Sequence, residues 1–407
     1  MIGTFLSLKA LRIGGMALGY AAIVWLSRTQ GAAAVGQYIV VLNGAIVVGT
    51  LAAMGLPTLV QRLSARMDET AIGSGTRAGL AGRWPLVVAI AVLGTLTLAA
   101  LDADVALHPG TLAMQAGSAL AFGMTLIVLE TMRVAQGPQQ AEFQRNITRP
   151  ALTLALLVAG LGAGLSVLVA MVAALTVALW QLRAVLRQPP VNATQAAYVD
   201  DRSRDLNVVF ALGALGLVFG AMDVVIFGIL ADAAQTGLYG AGSRYGMLVN
   251  VALLAGNAQM VRHLAKVAAN DGQNTHMETE LAQLRRQVRM VRIGSTVLLL
   301  ALALLLPVYA WMVALPLAGL WPYFAIVGGS FWLQGMLGPV NMFLMLSHEA
   351  GQLIVFHLFG IAAFALVALV LYLQGTSLAV PLGAAVGANL VKLLSGLHIG
   401  RSRRLWI

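Results

Sequence analysis

The chain has 407 residues, a formal net charge of +10 and no cysteine; 59% of its residues are hydrophobic, 10% are charged and the mean hydropathy is +0.86. A soluble domain of this length carries roughly a quarter charged residues, because it must present a wetted surface, so a soluble globular fold is excluded. Lack of cysteine rules out disulfides and thiolate metal ligands, and the basic charge lies in loops between apolar blocks, which does not point to nucleic acid.

Each apolar block is about as long as the ~20 residues that cross ~30 Å of hydrocarbon as a helix. Helices satisfy backbone hydrogen bonding within one segment, so repeated blocks predict an α-helical bundle. The short alternating strands of a β-barrel are not seen. Twelve spans are expected, at 7–27, 38–58, 84–103, 112–132, 150–166, 168–186, 206–230, 244–263, 293–314, 320–345, 352–373 and 379–398. Lys9 and Arg12 precede the apolar stretch 13–26 in the manner of a signal peptide, but the spans that follow favour an uncleaved first helix. The fifth and sixth spans share the run 151–180, broken at Gly160-Leu161-Gly162-Ala163-Gly164, which reads as a tight hairpin. The fold class expected is an all-α polytopic membrane protein, with two parallel six-helix bundles around a central cleft. The bundles would be residues 1–187 and 206–407, joined by a cytoplasmic linker at 188–205.

Basic residues test this count. With the N-terminus inside, the even-numbered loops hold Arg62, Arg66, Arg77 and Arg83, then Arg133, Arg145 and Arg149, then Arg183, Arg187, Arg202 and Arg204. Arg262, Lys266, Arg285, Arg286, Arg289 and Arg292 follow, and the tail adds Arg401, Arg403 and Arg404. The opposite side holds Arg28 and Arg244, both at helix ends. This positive-inside pattern puts both termini in the cytoplasm of a multi-pass protein of the bacterial inner membrane. The largest soluble piece is the connection at about 267–291, whose stretch 277–291 reads as a helix near the inner surface or as a solvated linker.

Gly36-Gln37-Tyr38 and Gly237-Leu238-Tyr239 stand 201 residues apart, each before an apolar helix. Six spans separate them, so the halves run parallel about an axis along the membrane normal. Gly36 and Gly237 are expected to permit a sharp turn, and Tyr38 and Tyr239 to anchor at the interface with a wetted hydroxyl.

Neither a phosphate-binding Gly-x-x-x-x-Gly-Lys-Ser/Thr loop nor a His-Glu-x-x-His metal site is present, so no cofactor and no enzymatic activity are expected. Energy would come from a proton or sodium gradient, the membrane potential or a substrate gradient. Charges in or near the spans are then the candidate site residues. Arg12 either snorkels to headgroups or contacts an anion. Asp223 lies deep in 208–230, where a carboxylate is expensive in lipid; it is a cation or proton site, or it pairs with an arginine. Arg28 and Arg244 run against the charge bias, although a lipid contact would suffice. Glu130 should pair with Arg133, and His357 should be a hydrogen-bonded core residue. Trp84, Trp180, Trp311 and Trp321 read as interface anchors.

Leu26-Ser27-Arg28 followed by Gly36-Gln37-Tyr38, and Asp223 followed by Gly237-Leu238-Tyr239 and then Arg244, resemble Wzx-type polysaccharide flippases of the multidrug/oligosaccharidyl-lipid/polysaccharide exporter superfamily. The loop Gly31-Ala32-Ala33-Ala34-Val35 departs from that family in lacking Pro and acidic residues. The resemblance implies that an undecaprenyl-pyrophosphate-linked oligosaccharide is moved from the cytoplasmic to the periplasmic leaflet. Arg12, Arg28 and Arg244 would contact the pyrophosphate, and Asp223 would hold a coupling ion or an arginine. Implied partners are the polyprenyl-linked glycan, anionic membrane lipids, a polysaccharide polymerase and glycosyltransferases. A drug or metabolite antiporter of the same superfamily and a non-transporting scaffold of an assembly complex are the alternatives. The antiporter should have an acidic lining, and the scaffold leaves deep Asp223 without a use.

Overall fold

A computed structural model describes residues 2–57, 83–101, 109–187, 210–254, 277–346 and 349–402, with single positions between them. The chain forms two compact units, Met1–Ala214 and Leu215–Ile407. Among the described residues, eight helices are long and apolar enough to cross a membrane, with a shorter apolar helix at Trp84–Ala100. The fold is therefore all-α and polytopic.

Unit 1 contains α1 (Ile2–Gln30), α2 (Ala32–Ala52), α3 (Trp84–Leu101), α4 (Pro109–Ala135), α5 (Pro138–Phe143), α6 (Arg149–Val158) and α7 (Ala163–Leu186). A π-helical turn at Gln144–Thr148 joins α5 to α6, so this hairpin arm begins at Pro138, twelve residues before the predicted start. The predicted break lies where expected. Gly160 adopts φ +87°, which L side chains rarely take, and the chain reverses between Val158 and Ala163.

Small residues let the helices approach. A Cβ on Gly123 would lie 2.6 Å from the Gly49 carbonyl oxygen, and one on Gly49 would lie 3.0 Å from the Gly123 nitrogen. The backbones of α2 and α4 thus touch directly, the usual packing mode where lipid supplies no hydrophobic drive between helices. Val128, Leu129 and Met132 of α4 then pack on Ala178 and Leu182 of α7.

Unit 2 contains α8, taken as Phe210–Leu230 because that apolar span enters the unit at Leu215. It continues with α9 (Ala233–Met247), α10 (Met277–Val313), α11 (Leu317–Leu337), α12 (Val340–Leu346), α13 (Ala350–Leu373) and α14 (Ala379–Ser402). A Cβ on Gly360 would sit 2.8 Å from the Gly387 carbonyl oxygen, which places α13 against α14 as closely as α2 against α4.

Two predictions are corrected. The stretch 277–291 is helical, as one of its two readings has it, but it is not a separate piece, because it is the first part of the 37-residue α10. Its Leu284, Val288 and Val291 are buried, an i, i+4, i+7 face that packs inside the protein. Farther along α10 one apolar face turns outward, with Leu304 80% and Trp311 73% exposed, while Leu302, Leu306 and Val313 stay buried. That stripe is the lipid-facing part of the span. The eighth span also begins earlier than expected. Its opening, Gly237-Leu238-Tyr239-Gly240-Ala241-Gly242, is glycine-rich and reads as loop, but it is helical from Ala233. The side chain of Asp232 caps it, accepting from the Gln235 N–H at 2.7 Å. The glycines serve packing there: a Cβ on Gly242 would meet the Leu320 carbonyl oxygen of α11 at 3.0 Å.

Gly36 and Gly237 are consequently not turn residues. Each is the fifth residue of its helix, α2 or α9, so the two Gly-x-Tyr elements occupy the same register. Nor are the tyrosines wetted anchors, since Tyr38 is 5% exposed and Tyr239 is wholly buried. The four tryptophans expected at interfaces are all exposed.

Candidate functional site

The strongest site lies in unit 2, where α8 turns back into α9. Asp223 follows a π-helical turn, Val218–Met222, and stands about 10 Å before the end of α8. Tyr239 lies a similar distance into α9, so the hairpin brings the two side chains together. The Tyr239 hydroxyl donates to Asp223 Oδ2. Both groups are buried, and the other carboxylate oxygen, Oδ1, is buried without a hydrogen bond. The tyrosine is held by aromatic contacts, with ring centroids 4.7 Å from Phe227 and 5.3 Å from Tyr323. Arg244, in the last turn of α9 and not its first, acts electrostatically on Asp223.

A buried carboxylate with one oxygen unfilled suits a proton or a small cation. Among the described residues no group of three or more His, Cys, Asp or Glu could hold a metal ion. The repeat does not duplicate this acid. Shifted back by the repeat offset, Asp223 falls on buried Ala22 and Arg244 falls on Asn43, whose Nδ2 donates to the Ile39 carbonyl at 2.8 Å. The site is built in one half only.

A second cluster lies in unit 1. Arg12 grips Glu142 with both ends of its guanidinium, Nη2 to Oε1 at 2.8 Å and Nε to Oε2 at 3.3 Å. Arg133 donates to the same Oε1 at 3.1 Å and also meets Glu130 at 3.2 Å. Asn146 Nδ2 donates to Glu142 Oε2 at 2.6 Å. Burial alone would raise the Glu142 carboxyl. The hydrogen bonds and charge of Arg12, with Asn146 and Arg133, prevail and hold it below the ordinary glutamate value. The predicted Glu130–Arg133 pair is thus one edge of a larger network.

Replacing Glu142 by Gln leaves two arginines without their shared anion, and about 2 kcal/mol of stability should be lost at neutral pH, moderated because the Arg12 side chain is 55% exposed. With a lowered folded-state pKa, this contribution is full above the unfolded-state pKa and is lost as pH falls through the folded one. Thermal melting from neutral pH into acid should therefore show a wild-type decline that E142Q partly lacks. Parallel melting curves for the two proteins would refute the network's role.

Arg12 and Arg28 are 16 residues apart on α1, about 24 Å along its axis, so they cannot hold one pyrophosphate together. Arg28 lies in the last turn of α1, exposed, and makes further contacts of its own. His357 is a buried, hydrogen-bonded core residue as expected, with Nδ1 2.8 Å from the Leu353 carbonyl oxygen.

Sequence reasoning missed two residues. Glu142 belongs to what reads as a cytoplasmic loop. Lys392 is the lysine inside the apolar span Ala379–Gly400, which was signal enough to single it out. It is buried, and Nζ donates at 2.9 Å to the carbonyl of Gly338, where α11 breaks before α12.

The fold is shared with membrane transporters of known structure. The lipid II flippase MurJ in an inward closed conformation superposes with a TM-score of 0.73 at 9% identity, covering 96% of this chain and 87% of MurJ. A multidrug resistance MATE family transporter of the MOP superfamily, in an inward-facing conformation, gives 0.61 at 13% identity, with coverages of 95% and 94%. A MOP superfamily transporter from Pyrococcus furiosus, described as having a binding pocket of reversed polarity, gives 0.57 at 15% identity, with coverages of 98% and 95%. The class defined is thus a fold common to the lipid II flippase and the MATE transporters. At these identities the likeness is one of fold. No protein-family model and no curated protein matches the sequence.

Proposed function

We propose that this protein translocates an undecaprenyl-pyrophosphate-linked oligosaccharide from the cytoplasmic to the periplasmic leaflet by alternating access. Twelve spans in two parallel six-helix bundles, with both termini in the cytoplasm of a bacterium, belong to this proposal. The observation that carries it is buried Asp223, bonded to Tyr239 and under the charge of Arg244, in a fold shared with a lipid II flippase. The prenyl tail stays in lipid, while the anionic pyrophosphate and hydrophilic glycan require a polar path. Arginine supplies charge-assisted hydrogen bonds to such an anion. Because Arg12 and Arg28 lie near opposite ends of the apolar span Ala10–Gln30, they meet the pyrophosphate in succession, Arg12 at entry and Arg28 at exit, with Arg244 contacting it in unit 2. Glu142 shares the charge of Arg12, so releasing that pair accompanies loading. Asp223 takes the coupling ion, a proton or sodium.

Deleting the gene in its native host should cause a completed lipid-linked oligosaccharide to accumulate on the cytoplasmic side, measured by mass spectrometry of the lipid fraction. Wild type should relieve this, whereas R244A at equal abundance should restore at most about a tenth of the flux, the loss expected for one charge-assisted hydrogen bond. Unchanged lipid-linked pools with altered drug sensitivity would leave the antiporter. Unchanged pools with displaced glycosyltransferases or polymerase would leave the scaffold.

A further inference from the structure

A lysine inside an apolar span is expensive, and unit 2 holds one that the transport path proposed above does not use. Lys392 stands eight residues, about 12 Å, inside the end of the span Ala379–Gly400. A lysine near a span's end ordinarily snorkels, leaving its ammonium at the headgroups. Lys392 does the opposite. It is only 7% exposed, and its Nζ turns onto the Gly338 carbonyl at 2.9 Å. Among the described residues no carboxylate forms an ion pair with it.

The acceptor explains why. Gly338 caps the C-terminus of α11 with φ +81°, a left-handed conformation that ends the helix and leaves Gly338 and Pro339 between α11 and α12. The last carbonyls of a helix lack partners along the chain, and the aligned peptide dipoles make that end negative. Gly338 is buried, so bulk water does not reach it. Two cations converge on this end from the flanking helices instead. Lys392 of α14 takes the Gly338 carbonyl, and Arg292 of α10 donates from Nε to the Met336 carbonyl at 2.9 Å. Of the two, Arg292 is exposed and Lys392 is buried.

In transporters built from interrupted helices, carbonyls at half-helix C-termini coordinate the sodium ion or proton that drives the cycle. The break after α11 offers acceptors of the same kind, and this chain meets them with an ammonium of its own.

We propose that Lys392 is a tethered cation, which occupies a carbonyl site at the break between α11 and α12 and fixes the start of α12 to α14. An ion carried by a side chain does not exchange with solvent. The break is therefore a fixed joint and not a station for a coupling ion. This concerns unit 2 alone and holds whatever the protein transports.

K392M and K392A separate charge from packing. Methionine keeps the length and removes the charge, so by hydropathy alone it should leave the span at least as stable. Amide exchange of the detergent-solubilised full chain, read by mass spectrometry, should nevertheless rise about tenfold across Val340–Leu346, the scale of one hydrogen bond to a charged group. Exchange in the middle of α13 should not change. K392A should show the same rise, and propylammonium chloride, which replaces the deleted atoms, should suppress it. Tetramethylammonium has the same charge without an N–H donor and should not. K392M decides the matter should K392A fail to fold. Unchanged exchange in K392M would overturn the proposal, because packing would then suffice. So would exchange in K392A that ignores propylammonium or responds equally to both salts.

Discussion

D223N is expected to reduce transport by at least about tenfold while its abundance in the membrane stays that of wild type. Asparagine keeps an oxygen for the Tyr239 hydroxyl, so the contact that positions the side chain survives. What disappears is the negative charge and the unfilled acceptor character of Oδ1, which a hydrogen-bonding or charged ligand values at about 1.5–3 kcal/mol. Energy of that size corresponds to roughly ten- to a hundredfold in occupancy. Y239F gives the complementary case. It preserves the charge and the packing on Phe227 and Tyr323 but removes the donor, so a loss of only several-fold should follow. The two readings of Asp223 then separate. If it binds the coupling ion, D223N abolishes dependence on a proton or sodium gradient in proteoliposomes. If it only balances Arg244, residual transport keeps its gradient dependence. Wild-type rates in D223N would remove Asp223 from the mechanism altogether.

The second large effect is structural. G49L should cost about 3 kcal/mol or more, enough to prevent accumulation of folded protein at growth temperature. A Cβ at that position meets the backbone of Gly123 at 3.0 Å, the Phe122 ring at 3.0 Å and the Ala119 carbonyl oxygen closer still. Backbone atoms cannot rotate aside as a side-chain tip can, so α2 and α4 must separate along their length. Gly19 supplies the control, because a Cβ there meets nothing within 4 Å. G19A should melt within about 1 kcal/mol of wild type. Equal melting temperatures for G49L and G19A in detergent would refute the direct backbone contact between α2 and α4.

What could be read from the sequence divides along physical lines. Apolar blocks, the hairpin around Gly160 and the isolation of Asp223 are local properties, visible to anyone counting residues against a bilayer's thickness. The Arg12–Glu142 pair joins residues 130 apart, and nothing in either neighbourhood specifies the other. Glycine was misread in a systematic way. In Gly237-Leu238-Tyr239-Gly240-Ala241-Gly242 it looked like loop punctuation, whereas between packed membrane helices it is a spacer of minimal thickness. The same error displaced Arg244 from the start of a helix to its end, and put Tyr239 at a wet interface when it is the partner of Asp223. The polar stretch at 277–291 misled in the opposite direction. Its charges implied separation from the span, but no Gly or Pro interrupts the helix between Met277 and Ile293, and three buried apolar residues hold it in place.

That continuity has a mechanical side. A 37-residue helix is about 55 Å long, some 25 Å more than the ~30 Å hydrocarbon core. Such a rod is a lever with its fulcrum at the membrane surface. If the span rocks by about 10° during a transport cycle, the projecting end sweeps about 4 Å, which spin-label distance measurements can resolve. The chain has no cysteine, so one introduced at exposed Ala282 would carry the only label, and the lever would convert small tilts inside the bilayer into motion readable in water.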